Sequence, residues 1–121
     1  MSNAHNKAKG SLFENQVEEY LNKSGMKARR LPRAGSKDIG DVAIELKTGL
    51  QIVCELKNVK AVNMADFLRQ ADVEASNFEN KYDCPTVGVV VVKARQRGIG
   101  EARVTLTLDR LCDLLNWSSL T

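Results

Sequence analysis

Histidine is all but missing from this chain: the single one, His5, falls in residues 1–8, a stretch with no periodic pattern. Ser2, Asn3 and Ala4 there resemble the remnant of an expression tag, so residues 1–8 are expected to be a disordered N-terminus outside the fold. Without histidine, His-ligated metal nucleases, Ser-His-Asp hydrolysis and histidine general bases are excluded. Any catalysis has to run on carboxylates, lysine and a metal ion. Cysteine is scarce as well. Cys54, Cys84 and Cys112 are odd in number and show no CxxC spacing, which argues against a disulfide framework and a structural zinc site and leaves buried apolar thiols. No apolar run approaches the roughly 20 residues of a membrane span, and no secretory segment follows the start, so an intracellular protein (cytoplasmic or nucleoid-associated) with no membrane partner is expected. A large charge excess is missing too: a net charge of +3 permits nucleic acid without requiring it.

What is present suits one compact domain. An apolar fraction of 43% with 27% charged residues in 121 positions can bury a core, and residues 9–121 read as a single α/β unit. Residues 41–57 organise it. Two arms alternate apolar and polar side chains (Val42, Ile44, Leu46; then Leu50, Ile52, Cys54, Leu56), with Thr48-Gly49 between them as turn chemistry. A two-residue loop there makes paired numbers sum to 97, which sets Asp41 opposite Leu56, between Glu55 and Lys57. Neighbouring strands lie roughly 4.5–5.5 Å apart, so the carboxylates of Asp41 and Glu55 come within reach of one divalent cation, with Lys57 on the side of Glu55. That register needs a one-residue bulge, or a bend at Gly40, to turn Asp41 toward Glu55. Glu45 and Lys47 repeat the Glu-x-Lys spelling, but Glu45 lies four residues along the strand from Asp41, roughly 13 Å away. No small cation spans that gap, and the pair reads as a solvated face.

Along the rest of the chain, residues 9–24 space Phe13, Val17, Tyr20 and Leu21 as a helix, stopped by Ser24-Gly25. Glu14 flanks this stripe and either looks inward at a site or is an ordinary exposed glutamate beside Glu18 and Glu19, the reading that spacing alone favours. Residues 26–33 read as a short basic strand, with Pro32 confining it to an edge or strand end. Lys27, Arg29, Arg30, Arg33 and Lys37 cluster just before Asp41, either as contacts for a phosphate backbone or as a solvated edge that resists aggregation. Residues 34–37 have no apolar anchor and read as a mobile loop; Asp38 beside them is a weaker rival to Asp41, being further from the hairpin. Asn58 and Lys60 add donors for phosphate. Asn63 opens a second helix whose stripe is Met64, Phe67, Leu68, Ala71, Ala75, Phe78 and Tyr82, with Gln70 at its edge, either near the site or on the surface. Residues 86–92 are apolar and mostly β-branched, as in a central strand buried on both faces. Lys93, Arg95, Arg97 and Arg103 surround Gly98-Ile99-Gly100 as a second basic loop, a DNA contact or a solvated hairpin. Residues 101–108 alternate as a half-buried strand, Asp109 is placed to cap a last helix through Leu115, and Trp117 is left to finish the core or seal a dimer.

Gly40-Asp41, thirteen residues, then Glu55-Leu56-Lys57 resembles the signature of the PD-(D/E)xK nucleases, with glycine in place of the proline. The upstream Lys9-Gly10-Ser11-x-x-Glu14 and Arg33-Ala34-Gly35-Ser36-Lys37 are similar to the archaeal type of Holliday junction resolvase, and the likeness covers roughly residues 9–95. The resemblance implies a restriction-endonuclease-like mixed sheet flanked by helices, in the order α-β-β-β-α-β-β-α. It implies a Mg²⁺-dependent endonuclease (Mn²⁺ as substitute) on DNA, chiefly a homodimeric resolvase of four-way junctions involved in recombination or repair. In that reading Asp41, Glu55 and Glu14, with the Leu56 carbonyl, hold metal; Lys57 and Gln70 join the catalytic set; and Lys9, Arg29, Arg30, Arg33, Ser36, Lys37 and Lys60 meet DNA. The alternatives are a repair or phage nuclease acting on flaps, ends or linear duplex, and a DNA-binding module of the same fold without turnover.

Overall fold

The structure, a computed structural model, describes residues 3–33 and 37–118, and side chains within 9–33 and 37–117. The elements run α1 (Asn3–Lys23), β1 (Lys27–Arg30), β2 (Val42–Glu45), β3 (Gln51–Lys57), α2 (Met64–Tyr82), β4 (Thr86–Val92), a 3₁₀ turn (Ile99–Glu101), β5 (Arg103–Thr105) and α3 (Leu108–Ser118). The five strands form one mixed sheet in the order β1-β2-β3-β4-β5. Every neighbouring pair is antiparallel except β3 and β4, which run parallel because α2 crosses between them. None of the described helices is long and apolar enough to cross a membrane.

Alternation divides the core between the two faces of the sheet. Val42, Cys54, Val87, Val89 and Val91 point to one side, where Phe13 and Val17 of α1 cover them with help from Leu114 and Trp117 of α3. Leu31, Ile39, Ala43 and Val53 point to the other, beneath Phe78 of α2. Strand β4, buried on both faces, is the central strand its composition predicts. Over it α2 packs so closely that a Cβ on Gly88 would stand 2.5 Å from the Ala71 carbonyl oxygen. Backbone cannot yield as a side-chain end can, so Gly88→Ala should cost about 1–3 kcal/mol, the scale of overpacking a core. Urea denaturation checks this: the midpoint should fall with an unchanged slope.

Several expectations need correction. The hairpin turn holds three residues, Lys47, Thr48 and Gly49, rather than two: the Leu46 N–H bonds the Leu50 carbonyl at 2.9 Å, and Glu45 pairs with Gln51. Gly49, at φ +93°, supplies the left-handed residue that closes such a turn. Paired numbers therefore sum to 96. Helix α1 begins at Asn3, not Lys9, since no proline or glycine interrupts residues 3–9. Tyr20, expected on its buried stripe, is 46% exposed. The strand expected over residues 101–108 shrinks to Arg103–Thr105, because β5 finds partners only along Val90, Val91 and Val92, while the residues before it wind into the 3₁₀ turn. Thr107, not Asp109, caps α3, its hydroxyl accepting the Arg110 N–H at 3.2 Å, and the helix runs to Ser118 rather than stopping at Leu115. Of the three cysteines only Cys54 is buried; Cys84 is half-buried and Cys112 exposed. The loop expected to be mobile lies mostly outside the described residues, Ser36 included.

Candidate active site

The carboxyl end of β3 carries the site because alternation turns Glu55 and Lys57, like Val53, toward α2. Continuing the observed register one residue past the Val42–Cys54 pair sets Asp41 opposite Glu55 rather than Leu56. The three-residue turn thus removes the need for a bulge to bring Asp41 to Glu55, yet the chain still bends at Gly40. Gly40 has φ +99°, and a Cβ there would lie 2.3 Å from Val53 Cγ1, so glycine alone fits while the chain turns. The Asp41 N–H then bonds the Cys54 carbonyl at 3.0 Å, and Asp41 Oδ2 accepts the Leu56 N–H at 2.9 Å. Leu56 thus orients Asp41 through its amide.

Four acids meet here. Oxygens of Asp38, Glu55 and Glu74 lie within 4.8 Å of one another, and Asp41 stands next to Glu55. Asp38 is brought in by its own turn: its Oδ1 accepts the Gly40 N–H at 2.9 Å, and Asn77 of α2 donates to its carbonyl at 2.8 Å. Glu55 is 5% exposed and Glu74 only 1%. Their Oε2 and Oε1 atoms, respectively, are buried without a hydrogen-bond partner. Such a group costs about 1–3 kcal/mol even when uncharged, a cost that a proton or a bound cation would relieve. The acids respond accordingly. Burial first, then the charge of Glu55, pushes Asp41 up to about 8; burial, then Glu74, pushes Glu55 up to about 8; burial also lifts Glu74 to about 7. Hard carboxylate oxygens gathered this closely could hold a metal ion.

Lys57 is held from three sides. Its ammonium donates to Gln70 Oε1 at 3.0 Å, sits 3.7 Å from Glu55, and lies 4.7 Å from the centre of the Phe67 ring. Gln70 passes the connection on, its amide nitrogen donating to Glu74 Oε2 at 3.1 Å. Glu14 is buried at 4% exposure, but Arg30 and Arg33 take one of its oxygens each, and Arg33 also reaches Asp41 at 3.2 Å. Glu14 therefore joins the site through arginine. Cys54, next to Glu55, is no nucleophile: burial raises its thiol to about 12.

Of the predicted residues, the structure gathers Asp41, Glu55, Lys57 and Gln70 directly and Glu14 through Arg33. Arg29 goes elsewhere, its guanidinium 5.3 Å from the Tyr82 ring centre and 5.8 Å from that of Phe78. Lys37 and Lys60 are exposed, Lys37 immediately before Asp38. Lys9 is half-buried on α1. Glu45 is exposed and bonded to Lys27 at 2.5 Å, a solvated pair. Glu74 escaped sequence reasoning, although a signal existed: it lies three residues after Ala71 and four before Phe78, on the buried stripe, where an acid is out of place unless it has a task. No protein-family model matches the chain, and a search of curated proteins finds no significant match.

Proposed function

We propose that the protein is a divalent-cation-dependent DNA endonuclease with a restriction-endonuclease-like fold, of the PD-(D/E)xK kind. The observation that carries this reading is the pair of buried, partnerless carboxylate oxygens on Glu55 and Glu74, within reach of Asp38, beside Asp41 and facing Lys57. Asp38, Asp41, Glu55 and Glu74 supply the oxygens for Mg²⁺ or Mn²⁺. A cation held there lowers the pKa of a bound water and neutralises charge at the phosphorus. Lys57, fixed by Gln70, directs an ammonium at the negative charge that grows on the phosphate. Gln70 orients Lys57 and Glu74 together. Arg33, 74% exposed along its side chain and already drawn to Glu14 and Asp41, presents a cation to the approaching backbone, with Arg30 and Lys37 beside it.

The substrate in this reading is a four-way junction, cut by a homodimer; the likeness of residues 9–95 to junction resolvases supports both. The test is Mg²⁺-dependent cleavage of a synthetic four-way junction beside flap and linear duplex DNA of the same sequence. Paired symmetric nicks in the junction alone are the expected result. Equal cutting of linear duplex or flap would overturn the junction assignment and leave the chemistry in place, whereas binding with no cleavage of any substrate would make the protein a non-catalytic module.

A further inference from the structure

On the other face of the sheet, between α1 and the loop that follows β4, lies a pocket of about 410 Å³, within the usual range for a small-ligand site. Glu19, Tyr20, Lys23, Lys93, Arg97 and Ile99 are among the residues that line it. Glu19 is already tied to Lys23 at 2.7 Å, and among the described residues no ion pair involves Lys93 or Arg97. Two unmatched cations therefore face the cavity.

The pocket is built rather than incidental. Gln96 adopts a left-handed backbone at φ +60°, unusual for a residue with a side chain, and the Arg97 N–H closes the turn on the Ala94 carbonyl at 3.3 Å, which fixes the backbone that carries Arg97 on the pocket wall. Tyr20 is seated against Gly100, where a Cβ would stand 2.6 Å from its hydroxyl and 2.9 Å from its ring; only glycine leaves the ring that place, with 46% of the residue open to solvent. The Lys93 N–H bonds the Lys57 carbonyl at 3.0 Å, so the pocket begins at the same carboxyl edge of the sheet from which Glu55 and Lys57 project. A strand whose scissile phosphate lay at the acids would run along that edge.

Resting on the nuclease reading, we propose that this pocket takes one unpaired nucleotide of the DNA, its phosphate on Lys93 and Arg97 and its base on the open face of Tyr20. An aromatic platform beside cations is the means by which proteins hold single strands, and a base inside a duplex is not free to use it. The pocket would thus favour DNA with an unpaired base over blunt duplex.

Fluorescence anisotropy with the full chain in EDTA, so that nothing is cut, measures binding to an oligothymidylate strand and to a blunt duplex. Tyr20→Leu should lower the single-strand to duplex affinity ratio about tenfold, the scale of losing one base stack. Tyr20→Phe, which keeps the ring, should lower it less. Arg97→Ala, an exposed change, should reduce the steepness of the salt dependence of single-strand binding by roughly the share of one phosphate contact. If Tyr20→Leu and Arg97→Ala both match wild type on the single strand, the proposal falls, whatever the cleavage assay gives. If wild type cuts no DNA while the Tyr20-dependent preference persists, the pocket stands and the nuclease reading falls.

Discussion

Glu55→Gln should lower Mg²⁺-dependent DNA cleavage by at least about 10²-fold, the scale of removing one group that stabilises charge in a transition state, while making the metal-free protein more stable near neutral pH. The two effects come from one cause. The glutamine keeps the shape of a side chain that is 5% exposed, so no cavity forms. What disappears is a buried carboxyl that burial and Glu74 keep from giving up its proton, with one oxygen unpartnered and only Lys57, at 3.7 Å, to balance the charge when it forms. Activity should fall and the melting temperature in EDTA should rise. A variant that cuts at the wild-type rate would remove Glu55 from the chemistry; a lower melting temperature would mean that its ion pair with Lys57 is structural.

The metal-free protein should also lose stability as pH rises, against the usual behaviour of carboxylates. In the unfolded chain these acids titrate at about 4. In the folded protein Asp41 and Glu55 are raised to about 8 and Glu74 to about 7. Between these limits the native state binds more protons than the unfolded one, so stability falls with pH. The favourable contribution is whole below about pH 4 and is lost as pH climbs through the folded values, 7 to 8. Melting in EDTA should therefore occur at least about 5 °C lower at pH 8 than at pH 5, a shift that needs only 1–2 kcal/mol in a domain of this size. Added Mg²⁺ or Mn²⁺ should restore most of the loss at the higher pH and little at the lower, because a cation competes with the protons for the same oxygens. A flat profile in EDTA, or equal rescue at both pH values, would show that the acids are not held together as described.

Much of this site could be read from residue order, and the gaps have physical causes. Alternation in residues 50–57 is enough to set Glu55 and Lys57 on one face, since period two leaves no other choice. Turn length is harder: Thr48-Gly49 suits a two-residue loop, while the three-residue form is decided by how Leu46 and Leu50 seat in the sheet. Asp38 looked remote because distance was counted along the chain; its own side chain and Asn77 fold the loop back. Glu74 was hidden by the habit of reading a helix stripe for apolar residues, which treats a lone acid as noise. Glu14 illustrates a different limit. Its spacing leaves it beside the apolar stripe and only the resemblance draws it to the site, but which cation satisfies it depends on how β1 lies against α1, a tertiary matter that leaves Arg30 and Arg33 in possession. The brevity of β5 likewise depends on where β4 stops offering partners.

The three-residue turn at 47–49 has a bearing on how this chain can vary over generations. It is exposed at Lys47, far along the hairpin from the acids, and its side chains touch none of the chemistry described, so exchanges of residue type at Lys47 and Thr48 should pass almost unnoticed, while Gly49 is held to glycine by its left-handed backbone. Its length is another matter. Losing a single codon would force a tighter turn or, where Leu50 is drawn into the turn instead, slide β2 by one step against β3, carry Asp41 from Glu55 to Leu56, and reverse the faces of Val42 and Ala43 in the same move. Lineages of this protein should thus keep the count of residues in that loop, and the glycine that ends it, while letting the identities of positions 47 and 48 drift.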